Sequence, residues 1–225
     1  MSTREVVFVE GVRTAFGRMG GALKDIYASQ LASIGIDGLL AKTGILEKAS
    51  VDSLFLGSAA GCSLSLNPAR HALLGSKLPH ETSASYVEMQ CGSAIDAINH
   101  AAWKILANQA DIVIAGGMES YSQIAVKFSM STPPYKMIPP MPLAVKMSPR
   151  DEENIGMGIT AENLQEKYRI SRQASDHFAF NSQMRAKAAM EAGLFDEEIV
   201  PVPFPATRKT PAYEFKKDEH PRPES

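Results

Sequence analysis

The chain has 225 residues, enough to bury a sizeable core in one large domain or two small ones. Hydrophobic residues make up 44% and charged residues 21%, the balance of an ordinary globular protein. Twenty-three basic against 25 acidic side chains leave a net charge of −2, so no general field draws the chain to nucleic acid.

Apolar runs stop well short of the ~20 residues that span a bilayer. The opening Met1-Ser2-Thr3-Arg4-Glu5 lacks the charged start and apolar run of a signal peptide. Cys62 and Cys91 have no partners at metal-ligand spacing, which predicts neither a zinc site nor a disulfide framework. The expectation is a cytoplasmic protein with no metal, no membrane and no nucleic-acid partner.

In chain order, Val6–Val9 reads as the first strand. A helical pattern follows over 25–41, then a strand over 51–57 and a short helix over 69–75. Ser85–Met89 predicts a third strand, 93–107 a third helix, and Asp111–Ala115 a fourth strand. That last run is continuously apolar, as in a strand covered on both faces. Such alternation argues for a layered α/β domain with crossover connections. In the third helix Ile95, Ile98, Ala102 and Ile105 form an apolar stripe beside Ala94, Ala97 and Ala101. A helix of that kind packs on more than one side and sits centrally.

After Gly116-Gly117 the texture changes. Six of the 14 prolines fall between Thr132 and Arg150, interleaved with Met130, Met137, Met141 and Met147. Proline this dense forbids regular helix and interior strand. The segment reads as an extended excursion whose methionines and Leu143 suit contact with another subunit or a ligand; a plain solvent loop is the bland alternative. Helical pattern resumes over 160–167 and over 171–192, with Ser171 as N-cap and Gly193 at the end. The tail from Arg208 is polar and charged, without a core pattern.

One residue carries chemistry. Cys91, in Met89-Gln90-Cys91-Gly92-Ser93-Ala94, stands between a predicted strand and a predicted helix. A thiol there meets unpaired backbone N–H groups and the positive end of the helix dipole, which suit a nucleophilic thiolate. Small neighbours admit a substrate carbonyl, and the same N–H groups serve an oxyanion. Read as bland structure, it is a small buried filler.

Several ordered segments resemble the thiolase family. They are Val12-Arg13-Thr14-Ala15-Phe16-Gly17, Asn67-Pro68-Ala69-Arg70, Cys91-Gly92-Ser93, Ala115-Gly116-Gly117-Met118-Glu119-Ser120, Met157-Gly158-Ile159-Thr160-Ala161-Glu162-Asn163, the Ile170–Ala179 stretch, and Asp218-Glu219-His220-Pro221-Arg222. The resemblance implies an α/β fold, a thiolase-type layered mixed sheet with flanking helices. This chain would hold the amino-terminal half, with a core half over 1–120 and part of the loop domain over 121–225. It implies Cys91 as the residue acylated by acyl-CoA and Met157 as a wall of the acyl pocket. Coenzyme A thioesters would be substrates, with no separate cofactor. Gly116, Gly117 and Glu119 would be structural.

The departures set expectations too. The family's Gly-His-Pro histidine and its second, glycine-flanked cysteine belong to the carboxy-terminal half, and neither motif occurs here. His71, His80, His100 and His177 lack that context, and His220 belongs to the tail motif. Cys62 reads as a small filler. Ala94 stands where glycine is usual, and Gly156 where many biosynthetic members have a CoA-contacting histidine. The resemblance therefore implies a thiolase subunit working with a separate polypeptide that supplies the carboxy-terminal half, in a hetero-oligomer with a thiolase-like dimer or tetramer core. The alternatives are a non-catalytic scaffold or binding subunit of thiolase fold, and a decarboxylating condensing enzyme. The Gly-Gly-Met-Glu-Ser and Met-Gly-Ile-Thr-Ala-Glu-Asn stretches favour thiolase over the last.

Overall fold

The computed structural model describes residues 4–61, 64–129, 139–208 and 210–222. Cys62, Met130 and Met137, on which sequence expectations fell, lie outside them. The chain divides into two compact units, Met1–Ile124 with Leu194–His220, and Ala125–Gly193 with Pro221–Ser225.

The first unit is mixed α/β. Its principal sheet is parallel, with strand order β3-β2-β4: β2 is Ser53–Gly57, β3 Ser83–Val87 and β4 Val113–Gly117. Helix α2 (Pro68–Leu74) connects β2 to β3, and α3 (Ser93–Leu106) connects β3 to β4. Local chemistry sets the ends of these helices. Pro68 opens α2 where its missing N–H costs nothing, and Asn67 Oδ1 accepts from the Arg70 N–H at 3.0 Å. Helix α1 (Ala28–Thr43) closes on Gly44, which adopts φ 60° and donates its N–H to Leu40 O.

β2 is covered on both faces, and its alternation separates two environments. Leu54 and Leu56 join Ile36 and Leu40 of α1 and Ala69, Ala72 and Leu73 of α2 in the main core. On the other face Ser53 Oγ accepts from Lys104 of α3, and Phe55 stacks with His100 of α3. The two structured flanks of β2 explain its burial.

A second, smaller core lies against α1. β1 (Arg13–Thr14) pairs in parallel with β5 (Ile199–Val200), and β6 (Val202–Phe204) forms an antiparallel ladder with β7 (Tyr213–Phe215). Ala15, Leu23, Val202 and Phe215 are buried there, with Leu31 and Ile34 of α1 packed on them. Helix α1 thus straddles two sheets.

Three expectations need correction. Val6–Val9 forms no strand; Val7, Phe8 and Val9 are exposed, because no strand edge runs beside them. The β3 and β4 spans sit two residues away from the expected ones. Asp52 accounts for part of this, since its carboxylate accepts from the Asp111 and Ile112 N–H groups at 2.7 and 3.0 Å and holds them at the entrance of β4. Those two backbone bonds, and more weakly the charge of Lys104, outweigh slight burial and lower the Asp52 pKa. The tail does contribute to a core, through Phe215, and to a charged anchor.

That anchor joins the opening motif to Asp218-Glu219. Arg13 makes a two-pronged contact with Asp218, at 2.8 and 3.1 Å, while its Nε donates to Glu198 at 2.6 Å. Asp218 also accepts from the Phe16 N–H, and Glu219 from the Arg18 and Ala22 N–H groups. The guanidinium lies over the Phe16 and Phe195 rings.

The second unit holds α4 (Met157–Tyr168) and α5 (Arg172–Glu191). Ser171 caps α5 by accepting from the Ala174 N–H, and Gly193 follows with φ 68°. The described flanks of the proline-rich excursion pair, with Ser129 N–H to Met141 O and Leu143 N–H to Lys127 O. Met141, Leu143 and Met147 are exposed. Among the described residues, no helix is long and apolar enough to cross a membrane.

Burial alone would raise the Asp218 carboxyl, but Arg13 and the Phe16 N–H outweigh it and hold it below its ordinary value. A depressed carboxyl contributes stability that is fully present above the unfolded value, ~3.9, and is lost as pH falls through the lower folded value. Asp218→Asn is expected to cost on the order of 2–3 kcal/mol near neutrality, by leaving Arg13 short of its partner. Denaturant titrations should find that difference constant from pH 7 to about 5 and shrinking below about 4.

Candidate active site

β3 ends at Val87, and a tight turn carries the chain into α3. Gln90 adopts φ 52°, a left-handed conformation rare outside glycine, so the turn is held by its own bonds. The Gly92 N–H donates to Met89 O at 3.0 Å, and the Ser93 N–H to Gln90 O at 3.1 Å. Ser93 is buried; its Oγ accepts from the Met89 N–H and donates to Gln90 O. Cys91 is left exposed at the amino end of α3, a free thiol.

Two glycines decide where that helix end sits. A Cβ on Gly57, at the end of β2, would overlap the Ser93 backbone. A Cβ on Gly117, at the end of β4, would lie 2.7 Å from Ala94 Cβ. The first turn of α3 therefore rests directly on the carboxyl ends of two parallel strands, where open α/β sheets place ligands. The fit also accounts for Ala94: its methyl occupies the space that Gly117 leaves free.

The loop after β2 forms the next wall. The Glu119 carboxylate accepts from the Ser58 hydroxyl and from the Ala59 and Ala60 N–H groups, at 3.1, 2.9 and 3.2 Å. The Tyr86 hydroxyl donates to Ser58 O at 2.8 Å. Glu119 is thus a loop organiser, in line with a structural role. Cys91, Ser93, Ser58, Glu119 and Gly117 share one cavity of about 910 Å³ with the Glu10–Phe16 segment and His220.

His220 is the member that sequence reasoning set aside. Nothing in the tail motif signals its place in this wall, because the Asp218–Arg13 anchor creates it. His71, His80 and His177 are exposed, and His100 pairs with Asp96 at 3.6 Å and meets the Phe55 and Trp103 rings. Met157 belongs to the second unit, where it is the first residue of α4 and 72% exposed. Gly156 precedes it with open space around the position of a Cβ. Among the described residues, no group of three or more His, Cys, Asp or Glu is placed to hold a metal ion.

A family model described as the thiolase amino-terminal domain matches residues 6–225. An acetyl-CoA acetyltransferase of Chromobacterium violaceum is 41% identical over 218 residues, covering 96% of this chain and 55% of that protein. The mitochondrial acetyl-CoA acetyltransferase of Danio rerio is 36% identical over 219 residues, covering 97% and 52%. The crystal structure of the Bacillus anthracis acetyl-CoA acetyltransferase superposes with a TM-score of 0.79 at 32% identity, covering 95% of this chain and 54% of that one. Fold and comparisons agree on an α/β domain of thiolase amino-terminal type. The chain belongs to the thiolase family, and it spans about half the length of the curated relatives it matches.

Gly57→Ala is expected to cost about 1–3 kcal/mol, because the new methyl forces the backbone of the first α3 turn away. Gly116→Ala, whose methyl would meet open space, should stay within about 0.5 kcal/mol. Parallel denaturation curves test the contrast, and equal losses at the two positions would contradict this seating.

Proposed function

We propose that this chain is the nucleophile-bearing subunit of an acyl-CoA:acetyl-CoA C-acyltransferase, a thiolase. The observation that carries the reading is the exposed Cys91 at the amino end of α3, opening on a cavity at the strand ends. In the first stage the Cys91 sulfur attacks the thioester carbonyl carbon. The carbon–sulfur bond to coenzyme A breaks, an acyl-cysteine remains, and the thiol proton passes through a base to the departing coenzyme A. In the second stage a base takes a proton from the α-carbon of acetyl-CoA. The resulting carbanion attacks the acyl-cysteine and expels the Cys91 thiolate. Met157 walls the acyl chain, its thioether packing on the thioester, and no cofactor beyond the substrates takes part.

The bases are supplied in trans. A separate polypeptide carries the carboxy-terminal thiolase half, with its histidine and second cysteine, in a hetero-oligomer with a thiolase-like dimer or tetramer core. In this reading residues 1–120 belong to the core half and part of the loop domain falls within 121–225, of which 194–220 returns to the first compact unit. Helix α3 supports a missing neighbour: Ser93, Ala97 and Ala101 are buried on the sheet, while Ile95, Trp103 and Leu106 are 63, 56 and 54% exposed on the outward side. An apolar stripe of this size invites a second layer.

The carboxy-terminal half of the Chromobacterium violaceum relative provides a partner for the test. Mixed with this chain, it should yield acetoacetyl-CoA thiolysis that neither polypeptide has alone, with an acyl adduct mapped by mass spectrometry to Cys91 and not to Cys62. Cys91→Ser should lower turnover by roughly 10³-fold or more, since a hydroxyl is a far weaker nucleophile near neutral pH. Thiolysis by this chain alone would overturn the split site. A folded complex inert towards every thioester would point instead to a binding subunit.

A further inference from the structure

Val87 ends β3, and three exposed residues, Glu88, Met89 and Gln90, lead on to Cys91. Two of them fold against the turn they belong to. The Met89 side chain lies back over Gly92, where a Cβ would come within 2.6 Å of its Cε. The Glu88 carboxylate accepts from the Gln90 N–H at 2.7 Å. That bond fixes a negative charge beside the residue that immediately precedes the nucleophile. It also helps to hold Gln90 in its left-handed conformation.

The charge is little compensated there. Glu88 is exposed, and among the described residues no lysine, arginine or histidine forms an ion pair with it. Other charged groups of the cavity wall are engaged elsewhere. Glu10 pairs with Lys42 at 3.2 Å, Arg13 is taken up by Asp218 and Glu198, and Glu119 accepts from three donors. Arg18 lines the cavity from the loop after Phe16, whose backbone Glu219 holds. A group that approaches Cys91 past the turn therefore meets one carboxylate and one thioether.

We propose that Glu88 is a specificity-determining residue for acyl transfer to Cys91. Its charge turns away acyl groups that carry a carboxylate of their own and leaves uncharged acyl groups, to which Met89 offers an apolar edge. The inference rests on the proposed function, in which Cys91 accepts an acyl group from a coenzyme A thioester. Range is the physical reason. The phosphates of coenzyme A are separated from the thioester by a long arm, and beyond about 10 Å salt screens them from an exposed carboxylate. A carboxylate on the acyl group itself arrives within a few ångströms of the sulfur, where one like charge still changes a rate several-fold in water.

Alkylation of Cys91 in the full chain tests the charge without any partner. Iodoacetamide is neutral and iodoacetate anionic, and both react with the same thiolate. The ratio of their rates at one pH, read by mass spectrometry on the Cys91 peptide, therefore reports the local charge alone. Glu88→Gln keeps an acceptor for the Gln90 N–H and removes the charge; it should lower the iodoacetamide-to-iodoacetate ratio by about threefold. Glu81→Gln, at an equally exposed carboxylate near the far end of β3, should leave the ratio at its wild-type value. Raising salt to about 0.5 M should move the wild-type ratio most of the way to that of Glu88→Gln, which needs no variant to fold. With the carboxy-terminal half of the Chromobacterium violaceum relative present, Glu88→Gln should raise succinyl transfer from succinyl-CoA relative to acetyl transfer by a similar factor. Ratios that are equal in wild type and Glu88→Gln, or lowered as much by Glu81→Gln, would overturn the proposal and leave the thiolase reading standing. A shifted alkylation ratio in a complex inert towards every thioester would overturn the thiolase reading, and the acyl selectivity with it.

Discussion

The site depends on the seating of the first turn of α3 upon Gly57 and Gly117. Two strand ends without side chains allow a helix end to approach the backbone, and no other residue type fits at Gly57 without moving Ser93. This contact exposes Cys91 at the strand ends and not along the side of the sheet. The left-handed Gln90 and buried Ser93 fasten the turn from within, so the thiol is positioned by a rigid element.

Around that contact, charged side chains organise the loops. Glu119 gathers the loop after β2, Asp52 holds the entrance to β4, and Asp218 and Glu219 draw the tail onto the opening motif. Each carboxylate accepts from backbone N–H groups that would otherwise lack partners in a turn. The Arg13–Asp218 pair has the further effect of placing residues far apart in sequence on one cavity wall, His220 among them.

The apolar surface has its own logic. α3 is amphipathic towards the sheet and still apolar outward, and β4 is apolar along its whole length while only half-buried. Both are patterned for neighbours on two sides and have them on one. α1 carries the same message through Gly35, beneath which the space is open. Helix and strand alike leave apolar surface exposed on the first unit.

Much of this was legible in the residues themselves. Among the described residues the five α-helices, the caps at Ser171 and Gly193, the parallel α/β order and the strand–Cys91–helix placement all follow from short-range periodicity and end signals, which act within a few residues. The family resemblance rested on ordered motifs and held across the chain. Tertiary structure decided what depends on distant partners. Val6–Val9 has strand chemistry but no adjacent edge to pair with, because a strand, unlike a helix, takes its hydrogen bonds from another segment. Phe215 became core and Asp218 an anchor only when the tail met Arg13, about two hundred residues away. The reason for Gly57 and Gly117 lies in a helix that packs on them from elsewhere in the chain, which local pattern does not encode.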